Sequence, residues 1–420
     1  MLRRDFLQQL TLASSGLLAA PLLAQSSSAD PKVMLGIDVL AAEGFKRIQG
    51  QRIGLVTHPA GVNNRGVKTI DVLRRAPGVR LVKLFGPEHG IYGDAPADVP
   101  VHNVIDRRTG LPVFSLYGKT RKPTPEMLTG LDAMLVDLQD VGARSYTYIS
   151  CMRYVLEACF EAGIKVYILD RPNPLGGLKV DGPGLDKQWM SYVGFFQVPY
   201  VYGLTIGEMA LAATRNYSWL NLSEAGRRKG NLEVIPMRGW RRAMRWHDTG
   251  LRWIPTSPMI PDAFSAEGYA MTGLGCQLGG FTHGVRTLYP FRFLRFPKKS
   301  AQEIAAALRR FPLPGFAFNP LRLNDGTEGV YIAVKDWEAL RPTALSFYMM
   351  HLACLWNRSN PFAAAKGNAY DLFNKHTGSE AFFDDLRKNG ARTNIASWLA
   401  RWNADAAQFQ QWARQFWLYV

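Results

Sequence analysis

The 420-residue chain is long enough for two domains with cores of their own, since single cores stop growing near about 250 to 300 residues. A composition that is 47% hydrophobic, 12% aromatic and 20% charged is that of an ordinary globular protein and excludes extended disorder past the first stretch of the chain. The net charge of +16 favours polyanionic surroundings, but the basic residues are scattered and no nucleic-acid motif surrounds them, so nucleic acid is not an expected partner.

The first segment, MLRRDFLQQLTLASSGLLAAPLLAQSSSADP, pairs Arg3 and Arg4, then runs apolar to Leu23 before a Ser-rich spacer. It reads as a twin-arginine (Tat-type) export signal with spacer over residues 1–30, an address and not an anchor. The expected location of the mature chain is the periplasm. No other segment approaches eighteen consecutive apolar residues, so no stable membrane insertion is expected.

From residue 31 to 235 apolar, β-branched runs alternate with helical stretches. The strands are RIGLVT (52–57), VRLVKLF (79–85), PVFSL (112–116), AMLVDL (133–138) and KVYILD (165–170). Between them fall GVKTIDVLRRAP, TPEMLTGL and YTYISCMRYVLEACFEAG, the last with apolar residues at helical spacing. Near-continuous apolar strands separated by helices predict an α/β domain with a Rossmann-like parallel sheet covered on both faces. Thr205 and Glu208 predict a capping box opening a helix, and Ser300 and Glu303 predict another.

Residues 236–420 change character and predict a smaller α+β domain. The stretch 252–293 is rich in Pro, Gly and aromatics and reads as shaped loops, GVYIAV reads as part of a strand pair, and the remainder is mostly helical. Cys151 and Cys159 are eight apart on a helix, about 12 Å along its axis and beyond disulfide reach. Cys276 and Cys354 could pair. No metal-ligand spacing occurs, and neither a metal nor another cofactor is expected. The sequence carries no signature of an oligomeric state.

Ligands of open parallel sheets bind outside the carboxyl ends of the strands. Those ends carry His58; then Glu88 and His89; then Asp137, Gln139, Asp140, Arg144 and Tyr146; then Asp170, Arg171 and Asn173. A shared polar crevice is expected there. Its chemistry is not that of a dinucleotide, P-loop or serine-esterase site, because GxGxxG, GxxxxGK[ST] and GxSxG are all missing. Carboxylate chemistry remains. Glu88, in a glycine-pinned loop, is the candidate general acid, which partial burial would favour by raising its pKa. Asp137 or Asp140 is the candidate second group, the other accepting amides or pairing with Arg144, and Asp170 with Arg171 could form an internal ion pair.

Taken together, LFGPEHG, SLYG, DLQDVGARSYTYIS, LDRPNPLGG, DGPGLD and TIGEMA, in this order, resemble the NamZ-type exo-β-N-acetylmuramidases (glycoside hydrolase family 171, formerly domain of unknown function 1343). The resemblance runs from about residue 36 to 420. It implies a Rossmann-like domain, a smaller second domain, and release of N-acetylmuramic acid from non-reducing ends of peptidoglycan fragments, with the catalytic carboxylate at Glu88. Asp137, Asp140, Arg144, Asp170 and Asn173 map to the cleft by the same resemblance. Three segments depart from it: Tyr92 and Tyr202 stand where Arg and His are usual, and LGGFTHGVRT carries His283 for Glu, Val285 for Arg and Arg286 one place later. The expected function is an exported glycosidase acting on a peptidoglycan-derived glycan or muropeptide. The alternative is a protein of the same fold that binds such glycans without turnover.

Overall fold

The structure, a computed structural model, describes residues 32–93, 101–216 and 218–420. The export signal expected over residues 1–30 therefore lies outside the described residues. Ten strands are described: β1 (Arg52–Thr57), β2 (Arg80–Gly86), β3 (Val104–Ile105), β4 (Pro112–Ser115), β5 (Ala133–Asp137), β6 (Lys165–Leu169), β7 (Leu232–Ile235), β8 (Phe293–Leu294), β9 (Phe316–Arg322) and β10 (Glu328–Val334). The helices of the first part are α1 (Gly36–Ala42), α2 (Thr69–Arg75), α3 (Pro125–Leu128), α4 (Tyr148–Ala162), α5 (Ile206–Arg215) and α6 (Glu224–Lys229). Those of the second are α7 (Ala263–Thr272), α8 (Ala301–Leu308), α9 (Pro342–Trp356), α10 (Pro361–Ala364), α11 (Asn368–Thr377), α12 (Glu380–Asn389) and α13 (Ile395–Ala413).

Seven strands form one sheet in the order β3-β4-β2-β1-β5-β6-β7, parallel except at the β3 edge. The five expected strands are all present; β3 and β7 are additions at the two edges. β5 is buried along its whole length and β1 at all but its first residue, as strands covered on both faces must be. One face packs Val56, Met134 and Ile168 against α4 and α5, the other packs Leu55, Leu135 and Leu169 with α1 and α2. The chain steps one way from β1 to β2 and the other way to β5, so the topological switch point falls between β1 and β5.

The smaller part holds a three-stranded antiparallel sheet, β8-β10-β9, wrapped by helices. The stretch expected to be loops contains α7, whose N-cap Asp262 accepts from the Ser265 amide. α7 is buried nearly all round, so it shows none of the periodicity that reveals a surface helix. It packs on α9, where Ser346 donates to the Met271 carbonyl and accepts from the Gly275 amide. Both expected capping boxes form, each stabilising its helix by about 1 kcal/mol. All four cysteines are free, Cys276 and Cys354 included. No helix among the described residues is long and apolar enough to cross a membrane.

The C-terminal tail returns to the large sheet. The Arg242 amide donates to the Val420 carbonyl, the Leu418 amide to Glu208 at 2.9 Å, and the Tyr419 hydroxyl to Asp170. Arg242 and Glu208 form a buried pair at 2.6 Å beneath it, with the guanidinium over the Trp417 ring.

Candidate active site

Both strands at the switch point end in polar residues. Thr57 of β1 lies in register with Asp137 of β5, and the next residue, His58, accepts the Gln139 amide on Nε2 at 2.8 Å. This bond places the imidazole proton on Nδ1, which faces the Thr256 carbonyl without a well-formed hydrogen bond. Burial first, and then the Arg171 charge, push the His58 pKa down to about 3, so the ring stays neutral. It is a fixed acceptor that ties two strand ends together, and its edge packs on Tyr148 at 4.7 Å between centroids.

β2 ends in a tight turn. A Cβ on Gly86 would come within 3.1 Å of the Ile91 amide, and His89 itself adopts the left-handed conformation at φ 69°. Such a conformation is uncommon for a non-glycine residue and costs energy that the surrounding fold must offset. The turn buries His89 beside His58 and leaves Glu88 half-buried. Glu88 Oε2 accepts from Thr147 Oγ1 at 2.9 Å, which sets the carboxyl at the start of α4. Burial raises the hydroxyl pKa values of Tyr148, Tyr192 and Tyr269 well above the ordinary value, and the charge of Glu88 adds to each.

The other acidic side chains of the rim are taken up by the frame. Asp137 is fully buried, with both oxygens held by Arg171 and one also by the Thr69 hydroxyl, while Arg171 reaches on to the Val62 carbonyl. The catalytic role considered for Asp137 therefore has no open face to act through. The ion pair expected between Asp170 and Arg171 is instead between Asp137 and Arg171. Asp170 accepts from Thr205, the Gly207 amide and Tyr419, fixing the start of α5. Asn173 bridges the Leu204 carbonyl and the Leu175 amide; it also closes on Gly142, where a Cβ would meet its Oδ1 at 2.3 Å. Gln139 donates to the carbonyls of Asp140 and Pro172.

Asp140 is different. One oxygen accepts from the Gly142 amide and the Tyr202 hydroxyl, while the other is buried and, among the described residues, has no well-formed hydrogen bond, the Val141 amide standing nearby. Burial raises its pKa to about 7 despite those bonds. It lines a cavity of about 10 Å³, the space of one water. Tyr202 thus serves Asp140 from a fully buried position.

Arg144 pairs with neither Asp137 nor Asp140. It is fully buried and donates to the carbonyls of Pro183, Val198, His376 and Thr377, fastening the end of α11 to the sheet. Tyr92 lies in a separate polar group, donating to Asp106 at 2.9 Å, accepting from Arg108 at 3.2 Å and standing under Lys68.

A wall of phenols completes the site. Tyr146 precedes the helix rather than opening it; its hydroxyl donates to Thr256 Oγ1 at 2.8 Å, and that of Tyr148, the first residue of α4, donates to the Thr256 carbonyl. Tyr269 of α7 meets Ser145 Oγ at 2.9 Å and sets its ring edge-on to Tyr146. His283 stands one layer behind, on Phe291, which in turn packs on Tyr269; burial lowers its pKa to about 4. Arg286 is exposed, at φ 71°. Sequence reasoning did not find Thr147, Tyr192, Thr256 or Tyr269. Only Thr147 left a signal, as the hydroxyl residue before a strongly periodic helix. Among the described residues no three His, Cys, Asp or Glu side chains cluster as a metal site would require.

A half-buried carboxyl, the neutral His58 imidazole and a wall of phenols, gathered at the switch point without a phosphate-binding turn, define an enzyme of acid–base chemistry. Residues 53–264 match the family model for exo-β-N-acetylmuramidase NamZ, N-terminal, and residues 268–419 match that for its C-terminal part. The chain belongs to this family, and is a glycosidase. It is 41% identical over 300 residues to the peptidoglycan β-N-acetylmuramidase NamZ of Bacillus subtilis (strain 168), covering 71% of this chain and 70% of that one. A crystal structure of a DUF1343 family protein from Bacteroides fragilis NCTC 9343 superposes with TM-score 0.82 at 38% identity, covering 93% of this chain and 99% of that one. A second DUF1343 protein from the same organism shares the fold, with TM-score 0.68 at 24% identity over 92% and 99% of the two chains.

Proposed function

We propose that the protein is an exported exo-β-N-acetylmuramidase that removes terminal N-acetylmuramic acid from peptidoglycan fragments, with Glu88 as the general acid. The observation that carries this is the contrast among the rim carboxyls. Asp137, Asp140 and Asp170 are buried and bonded into the frame, whereas Glu88 is half-buried, accepts from Thr147 and keeps part of its surface open to solvent. Protonation of the leaving glycosidic oxygen by Glu88 would start bond cleavage, and the phenol wall would shape the cavity for the sugar ring. Support for the sugar comes from the Bacillus subtilis relative, which is named for this substrate. Support for export comes from the twin-arginine segment.

The test uses the mature chain with aryl β-N-acetylmuraminide, aryl β-N-acetylglucosaminide and muropeptides. Release of the aryl group from the first, and of free N-acetylmuramic acid from muropeptides, is the expected result. Binding of these ligands with no release would make the protein a glycan-binding member of the family.

A further inference from the structure

The smaller domain carries a pocket that shares no lining residue with the switch-point site. It lies between the end of α8 and strand β9, and its volume of about 300 Å³ falls at the lower end of the range for small-ligand clefts. Two cations, Arg309 and Lys335, line it together with Asn319 and the rings of Phe311, Phe316 and Phe318; no lining residue is acidic. Arg309, Asn319 and Lys335 are exposed, and Phe311 and Phe316 are half-buried, so each ring shows part of itself to solvent.

The fold holds this surface in place. β9 is an edge strand, and Arg309, at the C-cap of α8, donates to its Phe318 carbonyl. That bond uses one of the five donors of the guanidinium and fixes the rest of the fork at the pocket wall. Phe311 stacks on Tyr348 at 4.4 Å and 17°, and Phe316 lies parallel to Phe318 at 5.9 Å and 10°. Among the described residues neither Arg309 nor Lys335 has a carboxylate within ion-pair distance. Fixed rings beside two unneutralised cations and an amide suit a ligand with a flat apolar face, a carboxylate and hydroxyl or acetamido groups.

We propose that this pocket is a second, non-catalytic binding site for a carboxylate-bearing sugar unit, which holds the enzyme on the glycan while the crevice works at a chain end. The identity of the polymer rests on the function proposed above; the requirement for an anion with an apolar face rests on the pocket alone.

The test compares the mature wild-type chain with Lys335→Gln and with Arg309→Gln/Lys335→Gln. Arg74→Gln/Arg75→Gln serves as a control of equal charge at the opposite end of the sheet from the crevice. Retention on insoluble peptidoglycan should fall about tenfold in the double variant, the size of a lost charge-assisted hydrogen bond, and stay unchanged in the control. Release from the aryl muraminide should be equal in all four proteins. N-acetylmuramic acid should compete for the retained fraction, and N-acetylglucosamine, without a carboxylate, should not. Equal retention of the double variant and the wild type would overturn the proposal, as would an equal loss in the control. Competition by free stem peptide but not by N-acetylmuramic acid would overturn the sugar assignment. Lys335→Gln alters one exposed side chain, so its result does not depend on refolding of the domain. If the wild type released no aryl group yet retention still depended on Arg309 and Lys335, the crevice reading would fall and the pocket would stand.

Discussion

Thr147 Oγ1 donates to Glu88 Oε2 at 2.9 Å, tying the loop after β2 to the residue before α4. This bond helps set the direction of the half-buried carboxyl at the switch point. Thr147→Val keeps the shape and removes this donor. It should lower kcat about tenfold with little change in KM, the mark of a group that positions the acid. Steady-state kinetics on the aryl muraminide, with a melting curve as a folding control, measures this.

Asp140 predicts a stability change with a definite sign. Its folded pKa of about 7 lies above the ordinary value of 3.8, so its contribution is present in acid and lost as pH rises through about 7. Asp140→Asn keeps an acceptor for Gly142 and Tyr202 while removing the buried charge. The variant should match the wild type near pH 4 and exceed it by on the order of 1–3 kcal/mol at pH 8. Urea unfolding at both pH values decides it. His58 acts in the opposite sense, since its pKa is lowered from 6.5 to about 3 and its contribution is lost as pH falls through that window. Relative to the wild type, the Asp140→Asn variant should therefore gain stability from acid to neutral pH.

The Asp137–Arg171 pair is a buried strut. Arg171→Leu would leave Asp137 charged and fully enclosed, at a cost of about 3–5 kcal/mol. Asp137→Leu/Arg171→Leu removes both charges and should recover a large part of that loss. Chemical denaturation of the two variants separates a broken pair from lost packing.

How much of this was legible beforehand differs from part to part, for physical reasons. The five central strands are near-continuous apolar runs because both faces are covered, and such runs are readable. β7 is short and only half-buried, and α7 is enclosed nearly all round, so neither shows a period. The strand ends pointed to Glu88, His58 and Asp140, since chain order alone places them on one rim. Partner choice was not readable: Asp137 finds Arg171, and Arg144 finds carbonyls as far away as Thr377, through contacts that only the folded chain creates. Tyr269 was hidden for the same reason, as its helix belongs to the other part of the molecule.

The tail offers a separate test. Tyr419 donates to Asp170 and accepts from the Met237 amide at 3.0 Å, joining the C-terminus to the residue that fixes α5. Tyr419→Phe should cost about 1–3 kcal/mol, because a buried amide and part of a buried carboxylate lose their partner. The thermal midpoint should fall while KM for the aryl muraminide stays within about twofold, since α5 stays held by Thr205 and Gly207.

The most direct measurement is single-turnover hydrolysis of the aryl β-N-acetylmuraminide by the mature chain and its Glu88→Gln variant. Glutamine preserves the bond from Thr147 and cannot deliver a proton, so the rate constant should fall by about 10²–10⁴ with ligand binding retained. Equal rate constants in the two proteins would remove the acid from position 88 and contradict the account.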